Sequence, residues 1–409
     1  MCFPPTDIIG IIFTQAVGIM KKYFGYFAVL LGVLIFLTVT YINSQIGNTP
    51  KPFSPNTIII SSWEKYKKQF INTDGRVIDY TQNSLTTSEG QSYALLRSVW
   101  VDDKQTFDLV WKWTFQNLKR PEDNLFGWKW GQKNDRTFGF LENGGNNTAT
   151  DADADIALAL ILANRRWHQP VYLDAAKKII PDIWKTDTAT TSTGVRYLIA
   201  GNWAQNSDRL IINPSYFSPY AWRIFAEVDT HNPWGDLITP AYNLLNQSTH
   251  TSSGLPPDWV MVNRHNGDLV TPDLPNLGTD YYFDAMRVPW RIYIDYQWNN
   301  EERARQFLVG HFQKLLYDYQ TTNQLSTKYR HDGTPLTTQE SPVMYATALS
   351  YFQVTNPALA TKIYTQKILS LYSNDTNSFD AKLPYYDQNW LWFAVANYNN
   401  YLIPFDQSG

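Results

Sequence analysis

The stretch whose reading decides the fold is Thr148–Trp167, TATDADADIALALILANRRW, which follows the loop Asn143-Gly144-Gly145-Asn146-Asn147. From Ile156 onward its apolar residues recur at helical spacing, and the acidic run before them opens the helix. A helix start favours acids, because its unpaired N–H groups carry partial positive charge. Three alternating carboxylates, Asp151, Asp153 and Asp155, nevertheless exceed what capping requires. On a helix Asp151 and Asp155 share a face at i,i+4, and Asp153 points away. A D-x-D-x-D run is also used to bind calcium. It fails here as an EF-hand, because Ile156 stands where the loop glycine belongs and Leu162 at the closing glutamate.

The same periodicity recurs on both sides of this helix. Windows at Trp63–Phe70, Tyr93–Val101, Phe107–Leu118, Val171–Trp184, Tyr220–Val228 and Leu237–Leu245 read as helical. So do Val288–Tyr296, Ala304–Tyr319, Val343–Phe352, Ala360–Tyr372 and Trp390–Tyr398. Stop and start signals separate them at Asp102-Asp103, Gln169-Pro170, Asn232-Pro233, Asn299-Asn300 and Asn356-Pro357. Strand-like runs are few, and Val195–Ile199 is the best of them. Twelve helices in hairpin pairs suggest an all-α toroid of six pairs, an (α/α)6 barrel; periodicity alone leaves other α-solenoids open.

Toward the N-terminus, residues 23–42 (YFGYFAVLLGVLIFLTVTYI) form an uncharged apolar run long enough to cross a bilayer core. Lys21 and Lys22 stand immediately before it and only Lys51 follows closely, which favours a cytoplasmic N-terminus and an extracytoplasmic bulk. Asn43-Ser44-Gln45-Ile46 offers no small-x-small cleavage site, so an uncleaved single-pass anchor in the cell membrane is expected, with secretion the alternative if the segment is cut. Met20-Lys21-Lys22 would also serve as a start. The expected organisation is an N-terminal segment at 1–42 carrying the anchor, a proline-containing linker at 43–57, and one large domain at 58–409.

Composition narrows the function. The 409 residues are 15% aromatic and only 17% charged, with a formal net charge of -3, which excludes a disordered chain and gives no basic surface for nucleic acid. A lone cysteine, Cys2, allows no intrachain disulfide. There is no G-x-S-x-G elbow, no H-E-x-x-H helix and no phosphate loop, and the six histidines are scattered, so no metal or cofactor is expected. Asp and Glu remain as acid and base groups. Two sets join the aspartate run: Glu89 in SEGQSY, where Ser88 would cap a helix, and Asp284 with Arg287 in FDAMRVPWR, one helical turn apart. Carboxylates together with many Trp and Tyr are what glycoside hydrolysis uses, two acids flanking the bond and aromatic faces stacking on sugars. Aromatics beside polar neighbours, as at Trp128-Lys129-Trp130, Asn202-Trp203, Pro214-Ser215-Tyr216-Phe217 and Pro384-Tyr385-Tyr386-Asp387, are the better candidates for such platforms.

At these residues the chain resembles glycoside hydrolase family 8, which includes bacterial endoglucanases, xylanases, lichenases and chitosanases. SEGQSYA from Ser88, FGWKWG from Phe126 and TATDADADIALALILANRRW from Thr148 carry the resemblance. NPSYFSPYAW from Asn213, FDAMRVPWR from Phe283 and PYYDQNWLWFA from Pro384 follow in the expected order. The resemblance implies an (α/α)6 barrel and an inverting endo-hydrolase of a β-1,4-linked polysaccharide, a cellulose-type glucan first. Xylan, lichenan or chitosan are the alternatives within that chemistry. A non-catalytic polysaccharide-binding component of a synthesis complex is the alternative outside it.

By resemblance Glu89 is the general acid, Asp284 the general base, and Asp151 binds the sugar at the −1 subsite. Arg287, Tyr216, Trp130, Tyr386 and Trp203 are expected to contact substrate. Inversion implies carboxylates about 6.5–9.5 Å apart, with room for a water. The family usually has Tyr before the base; Phe283 stands here and removes a hydroxyl from the water-positioning network.

Overall fold

Helices that are buried on every side and helices buried along one stripe alternate along this chain, and the alternation builds the architecture. The computed structural model describes Tyr23, Thr38 and residues 54–406. The expected anchor at 23–42 otherwise lies outside the described residues, as does the linker up to residue 53; among the described residues no helix is long and apolar enough to cross a membrane. Helix α1 (Pro55–Phe70) starts inside the stretch read as linker, with proline at its opening position, where the missing N–H costs nothing.

Next come α2 (Ser88–Trp100), α3 (Lys104–Asn117), α4 (Thr150–Trp167), α5 (Pro170–Thr186), α6 (Pro219–Val228) and α7 (Ile238–Ser248). They are followed by α8 (Val288–Asn299), α9 (Glu302–Gly310), α10 (Gln313–Thr322), α11 (Pro342–Thr355), α12 (Pro357–Ile363) and α13 (Tyr385–Tyr398). In α4 every residue from Thr150 to Ala163 is buried, in α11 every residue from Val343 to Phe352, and in α13 every residue from Gln388 to Asn397. In α5 only Tyr172, Ala176, Ile179, Ile180 and Ile183 are buried, the single stripe of a helix with one wet face. Accordingly α2, α4, α6, α8, α11 and α13 neighbour one another in that order, and α13 returns to α2, closing an inner ring of six. Helix α3 packs on α2, α5 on α4, α9 on α8, α12 on α11 and α1 on α13, so an outer layer covers the ring.

Two helical windows end differently from expectation. Ala304–Tyr319 is broken into α9 and α10, because Phe312 is fully buried with φ +66 and its N–H bonds the Gly254 carbonyl 2.8 Å away. Ala360–Tyr372 leaves α-geometry after Ile363, passing through a wider turn at Tyr364–Ile368 before Tyr372 joins a strand.

The all-α expectation is corrected to a mostly helical chain, since among the described residues four small antiparallel sheets occupy the connections. Strands β1 (Thr86–Thr87), β2 (Lys129–Gln132) and β3 (Phe138–Phe140) form the first, and β4 (Thr188–Thr190) with β5 (Arg196–Leu198) the second, where Val195–Ile199 was expected. Strands β6 (Arg209–Ile212), β7 (Val260–Asn263) and β8 (Leu269–Val270) form the third, β9 (Tyr372–Ser373) and β10 (Ser378–Phe379) the fourth. At two to four residues each, they are too short for a period of two to register in sequence. These sheets lie in connections leading to inner helices, and it is at the inner helices' N-terminal ends that the acidic motifs sit.

Candidate active site

The site is assembled where those N-termini converge. Pairing of β1 with β2, Thr86 opposite Trp130 and Thr87 opposite Lys129, delivers the chain to α2. The cap is Thr87, whose Oγ1 accepts the Gly90 N–H at 3.0 Å; it is not Ser88, whose hydroxyl is buried without a partner. Glu89 therefore sits in the first helical turn. Gly90 beside it leaves room for a ring: a Cβ there would stand 3.3 Å from the edge of Tyr385. Tyr385, in the first turn of α13, uses that space to donate its hydroxyl to Glu89 Oε1 at 3.1 Å.

At the start of α4 the three aspartates part as helical geometry requires. Asp151 Oδ2 accepts Arg287 Nη1 at 3.0 Å. Asp153 turns away and accepts the Phe126 N–H at 2.9 Å. Asp155, one turn below Asp151, takes both terminal nitrogens of Arg291 at 2.6 and 2.7 Å.

Arg287 organises the rest. Its Nη1 also donates to Glu89 Oε2 at 3.0 Å and reaches the Tyr93 hydroxyl at 3.4 Å. Its Nη2 donates to Asp284 Oδ1 at 2.6 Å and to Ser215 Oγ at 2.8 Å. Ser215 is itself held by Asn213, whose Oδ1 accepts both the Ser215 N–H and hydroxyl. The pairing of Asp284 with Arg287 is thus no surface contact: the arginine side chain is 2% exposed. The loop bearing Asp284 is tied from the opposite side by Asp258, whose Oδ1 accepts the N–H groups of Tyr282 at 3.1 Å and Ala285 at 2.7 Å. Tyr386 donates its hydroxyl to the Phe283 carbonyl at 2.8 Å. Asp284, Asp258, Trp259, Tyr282 and Phe283 line a cleft of about 510 Å³.

One guanidinium thus faces three carboxyls, and the charges do not balance. Burial raises the Glu89 carboxyl to about 7; Arg287 opposes the shift and Asp151 adds to it. Asp151 is also raised, first by burial, with Arg287 and Arg291 holding it down. Burial lifts Asp258 to about 8, the charge of Asp284 adding to this and the two backbone N–H donors opposing it. Glu89 and Asp284 keep side-chain exposures of 23% and 29%, against 4% for Asp151, so these two are the more accessible of the three. Among the described residues no group of three or more His, Cys, Asp or Glu is arranged to hold a metal ion.

A profile of glycosyl hydrolases family 8 matches residues 48–395 of this sequence. The chain belongs to that family. It is 33% identical over 237 residues to an endoglucanase from Cellulomonas uda, a match covering 58% of this chain and 63% of that protein, just under two thirds of its length. It is 30% identical over 338 residues to an endoglucanase from Xanthomonas axonopodis pv. citri, covering 81% and 83%. Among solved structures, an endoglucanase described as a family 8 glycosyl hydrolase, from Klebsiella pneumoniae, superposes with a TM-score of 0.66 at 25% identity, over 83% of this chain and 99% of that one.

In this family 8 chain the four polar residues named from sequence, Glu89, Asp151, Asp284 and Arg287, form one hydrogen-bonded cluster. The guanidinium of Arg287 lies 5.4 Å from the centre of the Tyr216 ring, which places Tyr216 beside it. Trp130 and Trp203 do not touch the carboxyls. Trp130 packs against Trp113 and Phe138 under the Arg76 guanidinium. Trp203 packs on Trp259, which in turn meets Tyr216 edge-on. Sequence reasoning did not single out Tyr93, Ser215, Asp258, Trp259 or Tyr385. Tyr385 and Ser215 lay inside quoted motifs, but with neighbours of similar chemistry. Asp258, in Pro256-Pro257-Asp258-Trp259, carried no pattern that distinguishes it from a loop aspartate.

Proposed function

We propose that the chain is an inverting endo-β-1,4-glucanase in which Glu89 is the general acid and Asp284 the general base. The observation that carries this reading is the single buried arginine bonded by three carboxyls: burial, with Asp151 adding to it, lifts Glu89 to about 7, so that it can hold a proton near neutral pH, while Asp284 bonds the other nitrogen of the same cation. Protonated Glu89 gives its proton to the glycosidic oxygen as the bond to the anomeric carbon breaks. Asp284 takes a proton from the water that attacks that carbon from the opposite face. The two acids bond different nitrogens of Arg287, so the one cation holds both at the site. Asp151, buried and bonded to the same nitrogen as Glu89, is suited to hold the sugar hydroxyls at the point of cleavage. Trp203, Trp259, Tyr216 and Trp130 supply faces for neighbouring rings.

A cellulose-type glucan is favoured because both sequence relatives named above are endoglucanases. The apolar run at 23–42, with its preceding lysines, supports anchoring in a membrane with this domain outside the cytoplasm.

The test is release of reducing ends by the domain from carboxymethylcellulose, xylan, lichenan and chitosan, with Glu89→Gln and Asp284→Asn alongside. Activity is expected to be highest on the glucan, and each variant to lose about 10²–10⁴-fold in kcat. Full activity in both variants overturns the catalytic assignment, and preference for another polymer overturns the substrate. Oligosaccharide binding by calorimetry without any product would instead identify a binding component.

A further inference from the structure

Asp258 is buried at the entry to β7, in contact with the loop that presents Asp284, and no step above uses it. Its backbone N–H bonds the Asp280 carbonyl at 2.8 Å, and the Trp259 N–H bonds that of Gly278 at 3.1 Å, so β7 and the loop are already laced together. The side chain then does something more specific. One oxygen, Oδ1, receives the N–H of Tyr282 and the N–H of Ala285, the residues two before and one after Asp284. The backbone of the base is thereby gripped on both flanks by a single acceptor, while its carboxylate is gripped by Arg287. The two grips come from different directions, β7 on one side and the start of α8 on the other. Without Asp258, the N–H groups of Tyr282 and Ala285 lose their partner, and the turn keeps the bonds to the Phe283 carbonyl and the Asp284 side chain and those from the Met286 and Arg287 N–H groups to the Tyr282 and Asp284 carbonyls.

We infer that Asp258 is a positioning residue for the general base, fixing the Tyr282–Ala285 turn through its Oδ1 so that Asp284 faces the attacking water. The inference rests on the assignment of Asp284 as base. What the role requires is an acceptor oxygen at that point. An amide oxygen can accept the same two N–H groups, so asparagine should serve where alanine does not.

The experiment compares Asp258→Ala, Asp258→Asn and Asp284→Asn by steady-state kinetics on the preferred glucan, with circular dichroism and thermal melting as the check on folding. Misplacing a reacting group by about 1 Å costs up to about 10²-fold. Asp258→Ala is therefore expected to lower kcat by about 10–100-fold with KM within about threefold, and Asp258→Asn to recover kcat to within about threefold of the parent. A folded Asp258→Ala with parental kcat, beside an inactive Asp284→Asn, overturns the role of Asp258 alone. A loss confined to KM overturns it as well, because that belongs to substrate binding. Should the alanine variant fail to fold, the asparagine variant decides: near-parental kcat supports the inference, and a folded protein impaired tenfold or more overturns it. Full activity in Asp284→Asn overturns the base assignment and this inference with it.

Discussion

Two aspartate–arginine rungs connect α4 to the start of α8, one helical turn apart, and they differ in how many acids share the arginine. In the lower rung Asp155 and Arg291 meet one to one, bidentate, with both side chains 2% exposed and the Tyr220 hydroxyl 2.6 Å from the guanidinium. In the upper rung Arg287 is shared among Asp151, Glu89 and Asp284. The same pair of residue types is thus neutral below and overloaded with acid above. A balanced buried pair is structural; where buried carboxyls outnumber the cation, burial and their mutual repulsion favour a proton on one of them, and in the proposed reaction that proton is the acid's reagent.

The sharpest way to break this contrast is to strand a charge in the lower rung. Arg291→Met leaves Asp155 buried and unpaired, and is expected to lower unfolding stability by about 3–5 kcal/mol in a denaturant titration. Adding Asp155→Leu should recover most of that loss. A double variant as unstable as the single one would show that the rung is not a simple ion pair.

In the upper rung, deleting an acid should act the other way. The folded-state value of Glu89, about 7, lies above its ordinary 4.5, so the associated stability is fully present below about 4.5 and is lost as pH rises through 7. Glu89→Gln cannot lose it. This variant is expected to melt about 2 °C or more above the parent at pH 8, with the gap closing near pH 4. A constant gap across that range would remove the extra proton from the picture.

The smallest effect concerns tuning. Asp151 helps to raise Glu89, so Asp151→Asn should move the alkaline limb of the kcat/KM profile toward lower pH by about half a unit to one unit, whatever it does to the rate itself. A limb that stays in place would assign the shift of Glu89 to burial alone.

The acid side of both rungs was legible from the 148–167 segment, because i,i+4 spacing alone puts Asp151 and Asp155 on one face. The pairing was not, since Arg287 and Arg291 lie 136 residues from Asp151 and Asp155 respectively. The helix windows were readable for the same local reason, and they faltered where tertiary contact overrode pattern, as at Phe312. In the site, a resemblance of short motifs brought forward Glu89 and Asp284. It could not tell Tyr385 from Tyr386, although the former bonds Glu89 and the latter the Phe283 carbonyl. Asp258 was out of reach, because its partners are backbone N–H groups, which every residue but proline has.

The closing of the inner ring also dictates an order of events during synthesis. The Trp392 indole bonds the Ile59 carbonyl across 333 residues, Asn389 reaches Tyr66 across 323, and Tyr385 reaches Glu89 across 296. A nascent chain that has not yet released α13 holds five staves of a six-stave barrel, with the exposed flanks of α1 and α2 waiting for a partner. Such long-range closure is slow and leaves apolar surface open while it is pending. The acid of the proposed reaction thus lacks its tyrosine until the last stave docks, and a ribosome-bound chain should be hydrolytically silent until α13 has emerged.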